Sequence, residues 1–172
     1  MSLDLTIAIP CKNEESNLPG CLSAIGHSFA KEIILIDSNS TDQTNEIGRR
    51  FGAQILDFSW NGQFPKKRNW FLRNHPPQTE WILFLDADEY ITEAFKKEIR
   101  EEISNTKKAG FWLHYNIYFL GKPLKGGTHE NGSTLPSRKK RTTTSPTTIN
   151  DVQKTFKHIL ILNRNTSSNH RV

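Results

Sequence analysis

Three carboxylates stand close together at the end of an apolar run in the segment WILFLDADEY, residues 81–90. In an extended chain, residues two positions apart face the same way, so Asp86 and Asp88 are expected to bring two carboxylates together. Like charges at that separation are unfavourable unless a cation lies between them. Mg²⁺ or Mn²⁺, held by one or two carboxylates and by phosphate oxygens, would supply that cation. Taken alone, the segment also fits an exposed acidic turn in which Asp86 caps the following helix.

Polar residues follow two earlier apolar runs as well. PCKNEES, residues 10–16, places Asn13 and Glu14 after the first run, and Asp37 ends the second run in EIILIDS. A helix entry with acidic residues near its N-terminus accounts for Asn13 and Glu14 without a ligand. A carboxylate that ends an apolar strand favours a donor such as a ribose hydroxyl or a base N–H, although a turn or helix cap explains part of this pattern.

Cations and aromatic residues alternate in FSWNGQFPKKRNWFL, residues 58–72. A solvated basic turn is the simplest interpretation, and a cation that faces a diphosphate is the functional one. Interleaved aromatic residues can also bind single-stranded nucleic acid. The helical spacing of Trp70 and Phe71 instead favours packing into the core.

Alternating apolar runs and amphipathic stretches must position these residues. The near-continuous apolarity of the runs is typical of strands that are covered on both faces. This β-α-β-α order predicts a doubly wound α/β sheet, in which ligands bind beyond the carboxyl ends of the strands. The predicted strands are residues 5–10, 32–38, 53–58, 81–88 and 110–121, and the predicted helices are residues 16–28, 42–52 (capped by Ser40 or Thr41), 65–74 (with Pro65 in its first turn) and 92–106 (opened by Thr92).

Composition divides the 172-residue chain into two unlike parts. Residues 1–127 carry 15 Lys and Arg against 16 Asp and Glu, whereas residues 128–172 carry 8 against 2 and contain one aromatic residue, Phe156. We therefore expect a domain over 1–127 and a basic, Ser/Thr-rich tail over 128–172 that is largely disordered or poorly packed, with 152–162 as the one stretch able to form a helix or strand.

The bulk features exclude several classes of protein. No apolar run approaches the roughly 18–20 residues that a membrane helix needs, and the N-terminus does not resemble a signal peptide. Two cysteines, Cys11 and Cys21, cannot form a disulfide scaffold and show no zinc spacing. These features predict a cytoplasmic protein.

Four segments in series resemble the family 2 glycosyltransferases of the GT-A fold, especially the bacterial lipopolysaccharide-core glucosyltransferases. They are IAIPCKNEESNLPGCL, EIILIDSNSTDQTNEIGRRFGAQI, WNGQFPKKRNWFL and EWILFLDADEYI, within about residues 4–120. The resemblance implies a mostly parallel GT-A sheet with helices on both faces, which the altered C-terminal part of this chain would leave incomplete.

The resemblance also implies a site and a reaction. The donor would be a nucleotide-diphosphate sugar, with a UDP-sugar expected, and the acceptor a saccharide or a lipid-linked sugar of the cell envelope or lipopolysaccharide. Transfer would be inverting and assisted by Mg²⁺ or Mn²⁺, with no nucleic acid as partner. The enzyme would lie in the cytoplasm, and peripheral contact with the inner membrane is left open. The implied nucleotide-sugar contacts are Pro10, Cys11, Asn13, Glu14, Asp37, Ser38, Lys67, Arg68, Asp86 and Ala87, and the implied metal ligands are Asp86 and Asp88, with Asp88 the direct one.

The chain departs from the family pattern after about residue 127. Inverting enzymes need a base for the attacking hydroxyl, and the candidates here are Glu89, His129 and Glu130, none of which the residues assign. The change in composition is typical of a truncation or a shifted reading frame, so an inactive nucleotide-sugar-binding remnant is the alternative. A nucleic-acid binder that uses the basic tail is a further alternative. A phosphatase is disfavoured because its DxD would follow the first strand.

Overall fold

The protein forms one eight-stranded sheet with helices on both faces. The structure, a computed structural model, describes residues 2–104, 106, 108, 110–116, 118–119, 122–123, 148–153 and 160–163. The strands are β1 Leu3–Cys11, β2 Ala30–Asp37, β3 Gln54–Asp57, β4 Trp81–Phe84, β5 Tyr90–Ile91, β6 Gly110–Asn116, β7 Tyr118–Phe119, β8 Lys122–Pro123, β9 Thr148–Gln153 and β10 Leu160–Asn163, and the helices are α1 Leu18–Ile25, α2 Thr44–Arg50, α3 Lys67–Asn74 and α4 Glu93–Ile103.

The strand order in the main sheet is β3-β2-β1-β4-β10-β6-β9-β5. The first four strands of this order run parallel to one another, and β6 is parallel to β9. β10 is antiparallel to both of its neighbours, and β5 is antiparallel to β9. Strands β7 and β8 form a separate antiparallel pair. The predicted mostly parallel, doubly wound sheet is therefore confirmed.

Apolar residues on both faces of β1 explain its central position. Leu5, Ile7 and Ile9 pack on one face with the buried sides of α1 and α4, while Ala8 belongs to the core on the other face. That second core contains Phe71 of α3. Helices that cover both faces leave no solvated face, which is why the strand sequences read as continuous apolar runs.

Several element boundaries differ from the sequence-based expectations. β4 ends at Phe84 instead of residue 88, and α3 begins at Lys67, two residues after Pro65. α2 is preceded by Gln43 as N-cap, so the predicted cap at Ser40 or Thr41 is wrong. Ser40 instead binds Asp37, and the Thr41 N–H binds Asn13. Thr92 does cap α4, because its hydroxyl accepts the Phe95 N–H at 3.1 Å.

Two segments of the predicted tail are strands of the main sheet. β9 lies beside β6, and β10 lies between β4 and β6. The other residues of 128–172 lie outside the described residues, so the domain boundary and the incomplete C-terminal side remain predictions. Within the described part of the chain, no helix is long and apolar enough to cross a membrane.

Candidate functional site

The carboxyl ends of β1 and β2 lie level with each other in the sheet. Cys11 at the end of β1 pairs with Asp37 at the end of β2, and β4 runs parallel on the other side of β1. The segments that follow these three strands therefore meet at one edge. This is the edge at which ligands bind in doubly wound sheets.

Two turns at this edge are joined by hydrogen bonds, and we call them the paired turns: residues 12–17 after β1 and residues 38–44 after β2. Each turn donates backbone N–H groups to side chains of the other, so the two turns form one hydrogen-bonded unit. The bonds are Asn13 N–H to Ser40 Oγ (2.8 Å), Glu14 N–H to Thr44 Oγ1 (2.7 Å), Glu15 N–H to Asp42 Oδ2 (3.1 Å), Thr41 N–H to Asn13 Oδ1 (2.9 Å) and Gln43 N–H to Glu15 Oε2 (3.0 Å).

One asparagine in each of the paired turns has a left-handed backbone. Asn13 and Asn39 both have φ of 55°. Asparagine adopts this region more readily than other residues with a Cβ, because its short side chain can bond locally. In Asn13 the side chain accepts the Thr41 N–H, so the same residue makes the bend and joins the two turns.

Asp37 is 1% exposed, and its carboxylate accepts several hydrogen bonds. The donors are the Ser40 N–H (2.9 Å), the Ser40 hydroxyl and the Asn45 side-chain amide (3.0 Å). Burial alone would raise the pKa of Asp37, but the bonds from Ser40 and Asn45 outweigh it and hold that pKa below its ordinary value. The carboxylate is therefore ionised and fixes the turn after β2.

Cys11 contributes its backbone, not a reactive thiol, to this edge. Its side chain is buried, with Sγ 3.8 Å from the Ile36 carbonyl and 3.9 Å from Asp37 Oδ1. Burial, together with the negative charge of Asp37, raises the pKa of the Cys11 thiol to about 12. The Cys11 carbonyl accepts the Lys67 ammonium group at 2.7 Å.

Two cations from the start of α3 lie at the same edge. Lys67 is partly buried, and this burial lowers the pKa of its ammonium group, opposed by the nearby negative charges. Arg68 lies next to it and forms an ion pair with Asp86, 2.7 Å from Nη2 to Oδ1, while its guanidinium stands 5.4 Å from the centre of the Phe84 ring. The start of α3 therefore brings two positive charges between the ends of β1 and β4.

Asp86 to Glu89, which we call the acidic turn, is not a continuation of β4. The Glu89 N–H donates to the Asp86 carbonyl at 2.9 Å, and the Asp86 N–H donates to Glu89 Oε2 at 2.8 Å. The chain was expected to be extended from Asp86 to Asp88, and this expectation is wrong because the chain forms a turn there. Their exposure still alternates, since Ala87 and Glu89 are buried while Asp86 and Asp88 are partly exposed. The helix-cap alternative for Asp86 is wrong, because Thr92 caps α4.

The donor set fits a divalent cation only in combination with other ligands. Among the described residues, no group of three or more His, Cys, Asp or Glu side chains could hold a metal ion. Asp88 supplies one partly exposed carboxylate, and Asp86 already shares one oxygen with Arg68. One or two carboxylates completed by phosphate oxygens and water is the arrangement that Mg²⁺ commonly takes.

The other predicted site residues fall into two groups. Pro10 and Ser38 are partly buried at the ends of β1 and β2, and Ala87 packs in the core. His129 and Glu130 lie outside the described residues, so the structure does not test them as bases.

Four residues that the sequence did not indicate as part of the site hold this edge together. In α2, Thr44 binds Glu14 and Asn45 binds Asp37. Ser40 binds both Asn13 and Asp37. The Cys21 thiol lies 3.8 Å from the Asp86 carbonyl. Spacing along the chain gives little signal for such contacts, although the Ser, Thr and Asn enrichment after Asp37 indicated a hydrogen-bonded turn.

The family model described as Glycosyl transferase family 2 matches residues 6–162. This chain belongs to that family. The match includes β2 to β9 and most of β1 and β10, so it extends well beyond the expected boundary at residue 127.

Relatives named as glycosyltransferases support the assignment. Uncharacterized glycosyltransferases of Rickettsia prowazekii and Rickettsia bellii are 28% and 30% identical over 109 residues, which are 63% of this chain and 36% and 35% of the relatives. One from Mycobacterium bovis is 40% identical over 52 residues, 30% of this chain and 23% of the relative. This chain therefore spans about a third or less of the length of these relatives.

Solved structures show the same fold at low identity. TarS of S. aureus, residues 1–349, gives a TM-score of 0.52 at 24% identity. The matched region covers 66% of this chain and 35% of the TarS chain. A second neighbour is glucosyl-3-phosphoglycerate synthase of Mycobacterium tuberculosis in complex with Mn²⁺, UDP and glucosyl-3-phosphoglycerate. Its TM-score is 0.51 at 16% identity, and the matched region covers 64% of this chain and 43% of the synthase chain. These neighbours confirm the GT-A fold.

Proposed function

We propose that this protein transfers a sugar from a nucleotide-diphosphate sugar to a saccharide or lipid-linked acceptor. The observation that carries the proposal is the arrangement at the carboxyl edge of the sheet, where Lys67 and Arg68 lie between the buried Asp37 and the acidic turn. Two partly buried cations suit a diphosphate, and the flanking polar turns suit the nucleoside and a metal ion. Membership of family 2 supports the reaction class.

The nucleoside would lie against the paired turns. Asn13 and Glu14 are accessible there, whereas Asp37 is buried beneath Ser40. Asp37 therefore shapes the pocket, and its carboxylate reaches a base or ribose only if the Ser40 hydroxyl moves aside. A structure of TarS with UDP-GlcNAc and one of the mycobacterial synthase with UDP support a UDP-sugar as the first donor to test.

The diphosphate would lie against Lys67 and Arg68. A guanidinium has five N–H donors, so Arg68 can keep its bond to Asp86 and still donate to phosphate oxygens. Asp88, with Asp86, would hold Mg²⁺ or Mn²⁺ beside the same phosphates. When bound, the cation supplies positive charge that stabilises the departing nucleoside diphosphate. The mycobacterial synthase in complex with Mn²⁺ supports this choice of metal.

Calorimetry with the full 172-residue chain provides the first test. We expect UDP, UDP-glucose or UDP-GlcNAc to bind more tightly with Mn²⁺ than without it. CDP serves as the matched nucleotide control. Failure of every nucleoside diphosphate to bind, with or without metal, would contradict the proposal.

A donor-binding remnant without transferase activity is the second candidate. The composition change after residue 127 favours it, since the acceptor side would be built from that part of the chain. Assays of UDP release with and without a panel of saccharide and lipid-linked acceptors separate the two. Release that increases with an acceptor supports transfer, whereas binding without any acceptor-dependent release supports the remnant. The anomeric configuration of the product would test inverting transfer, and the acceptor that is used would test a role in cell-envelope or lipopolysaccharide synthesis.

We also propose that the enzyme lies in the cytoplasm and makes peripheral contact with the inner membrane. Trp60 and Phe64 are 57% and 64% exposed in the segment before α3. Besides Lys67 and Arg68, residues 58–79 contain the exposed Lys66 and Arg73 and no Asp or Glu, which suits an anionic surface. We expect sedimentation with vesicles that contain anionic lipid and little with neutral vesicles. A Trp60→Ala/Phe64→Ala variant that sediments as the parent does would contradict this contact.

A further inference from the structure

We infer that Glu89 is a positioning residue that holds the acidic turn in the geometry required to bind the metal–diphosphate group. This inference rests on the proposed function, because it assigns a role within the same site. Glu89 follows Asp88 directly in the chain and was a candidate for the base. Its surroundings indicate a different role.

Burial removes Glu89 from any acceptor. The residue is 1% exposed, whereas a base must come within hydrogen-bond reach of the hydroxyl that it deprotonates. A carboxylate is costly to bury, so its retention at this position calls for hydrogen-bond donors. One of these donors is the Asp86 N–H, 2.8 Å from Oε2.

The hydrogen bonds between Asp86 and Glu89 are reciprocal. Glu89 accepts from the Asp86 N–H through its side chain and donates its own N–H to the Asp86 carbonyl at 2.9 Å. The two bonds close the turn from both sides. Asp88 lies within the closed turn, so the position of its carboxylate depends on them.

Contacts from two other elements fix the rest of Asp86. Arg68 of α3 binds its carboxylate at 2.7 Å, and the Cys21 thiol of α1 lies 3.8 Å from its carbonyl oxygen. The residue after the turn, Tyr90, packs closely on α1: a Cβ added at Gly20 would stand 2.6 Å from its ring. Glu89 completes this frame by fixing the backbone N–H of Asp86.

Residues that orient metal ligands in this way contribute strongly to affinity. Loss of such a partner typically weakens metal binding by about 10- to 100-fold, because the ligand then samples unproductive orientations. Glu89 would act in the same way on Asp86 and Asp88 without touching the metal or the sugar.

Three variants test this role. Glu89→Gln keeps an oxygen that can accept the Asp86 N–H, whereas Glu89→Ala removes it. Glu101→Ala removes an exposed carboxylate from α4 and serves as the control for net charge. For each variant, amide hydrogen exchange reports protection of the Asp86 N–H without any ligand, and calorimetry reports UDP affinity with and without Mn²⁺.

We expect Glu89→Ala to lose protection at Asp86 and to bind UDP about 10- to 100-fold more weakly in Mn²⁺, with little change in the absence of metal. Glu89→Gln should restore most of both properties, and Glu101→Ala should resemble the parent. Lost protection at Asp86 with unchanged Mn²⁺-dependent affinity would overturn the inference, as would equal losses in Glu89→Gln and Glu89→Ala. If the parent protein itself shows no Mn²⁺-dependent UDP binding, the proposed function fails, while the exchange data still report the bond.

Discussion

The paired turns and the acidic turn lie at the same edge of the sheet, but different kinds of contact hold them. Five backbone-to-side-chain hydrogen bonds link residues 12–17 to residues 38–44. The acidic turn is instead held by the Glu89 carboxylate and by the ion pair with Arg68. The hydrogen bonds between the paired turns can persist whether or not a ligand is bound, whereas Arg68 has further N–H donors that can bind a phosphate while it keeps its bond to Asp86. The paired turns, where we propose that the nucleoside binds, are therefore held together before a ligand is present, and the proposed diphosphate side retains hydrogen-bond donors for the ligand.

Asp88→Ala should have the largest effect, because it removes the partly exposed carboxylate of the acidic turn while leaving the paired turns intact. We expect the Mn²⁺-dependent part of UDP binding to disappear in calorimetry and metal-independent binding to remain. Asp57→Ala, at the exposed end of β3, is the matched control. Unchanged Mn²⁺ dependence in Asp88→Ala would refute the metal assignment.

Asp37→Asn should affect stability as well as binding. The substitution replaces one acceptor oxygen by an amide, which leaves a buried donor from Ser40 or Asn45 poorly paired. A lost partner of this kind costs about 1–3 kcal/mol in the free energy of unfolding, measured by urea denaturation. Asp57→Asn should stay within about 0.5 kcal/mol of the parent. A neutral Asp37→Asn would show that the paired turns do not depend on this carboxylate.

Acid should weaken the paired turns. The pKa of Asp37 is lowered in the folded protein because the hydrogen bonds of its carboxylate outweigh its burial, and the bonds from Thr44 and Glu15 likewise outweigh the effect of burial on Asp42. Their stabilisation is therefore fully present above the ordinary carboxyl pKa of 3.8 and is lost as pH falls through the folded-state pKa values. Thermal unfolding over acidic pH should show this loss. The Asp37→Asn variant should show a shallower pH dependence, and an equal slope would contradict the assignment to Asp37.

The smallest effect is expected from thiol modification at the end of β1, next to the paired turns. The reactive form of cysteine is the thiolate, and burial raises the pKa of Cys11 to about 12. Iodoacetamide at mildly alkaline pH should therefore leave Cys11 unmodified in the native chain and modify it in the urea-denatured chain, as checked by peptide mass spectrometry. Rapid native modification would show that the end of β1 opens far more readily than the paired turns suggest.

The sequence predicted much of the sheet because its signals are local. Continuous apolar runs identified β1 to β4, and amphipathic spacing identified the helices between them. The rule that ligands bind at the carboxyl ends of strands then pointed to the region of Asp37, Lys67 and Asp86, where the structure places hydrogen bonds and ion pairs. Which of these residues bind substrate remains a prediction.

The errors arise where contacts distant in the sequence compete with local preference. Ser40 and Thr41 are good helix caps, but the structure uses them to bind Asp37 and Asn13. β4 stops at Phe84 because the Asp86 N–H pairs with Glu89, a contact that the apolar pattern could not reveal. Only 152–162 in the tail was expected to be able to form a helix or strand, which includes most of β10 but little of β9. The strand partners of both lie far away in the chain, so the sequence did not place them in the main sheet.

The position of β10 has a consequence for the nascent chain on the ribosome. β10 fills the place between β4 and β6, yet its last residue, Asn163, is synthesised long after Phe84 ends β4. At about 5–20 residues per second, translation of the intervening segment takes roughly 4–16 s. During that interval the outer edge of β4 has no strand partner from β10 and can serve as a template for pairing with another chain. Chaperone demand during synthesis should therefore be governed by the arrival of residues 160–163 and not by the completion of the edge that carries the paired turns.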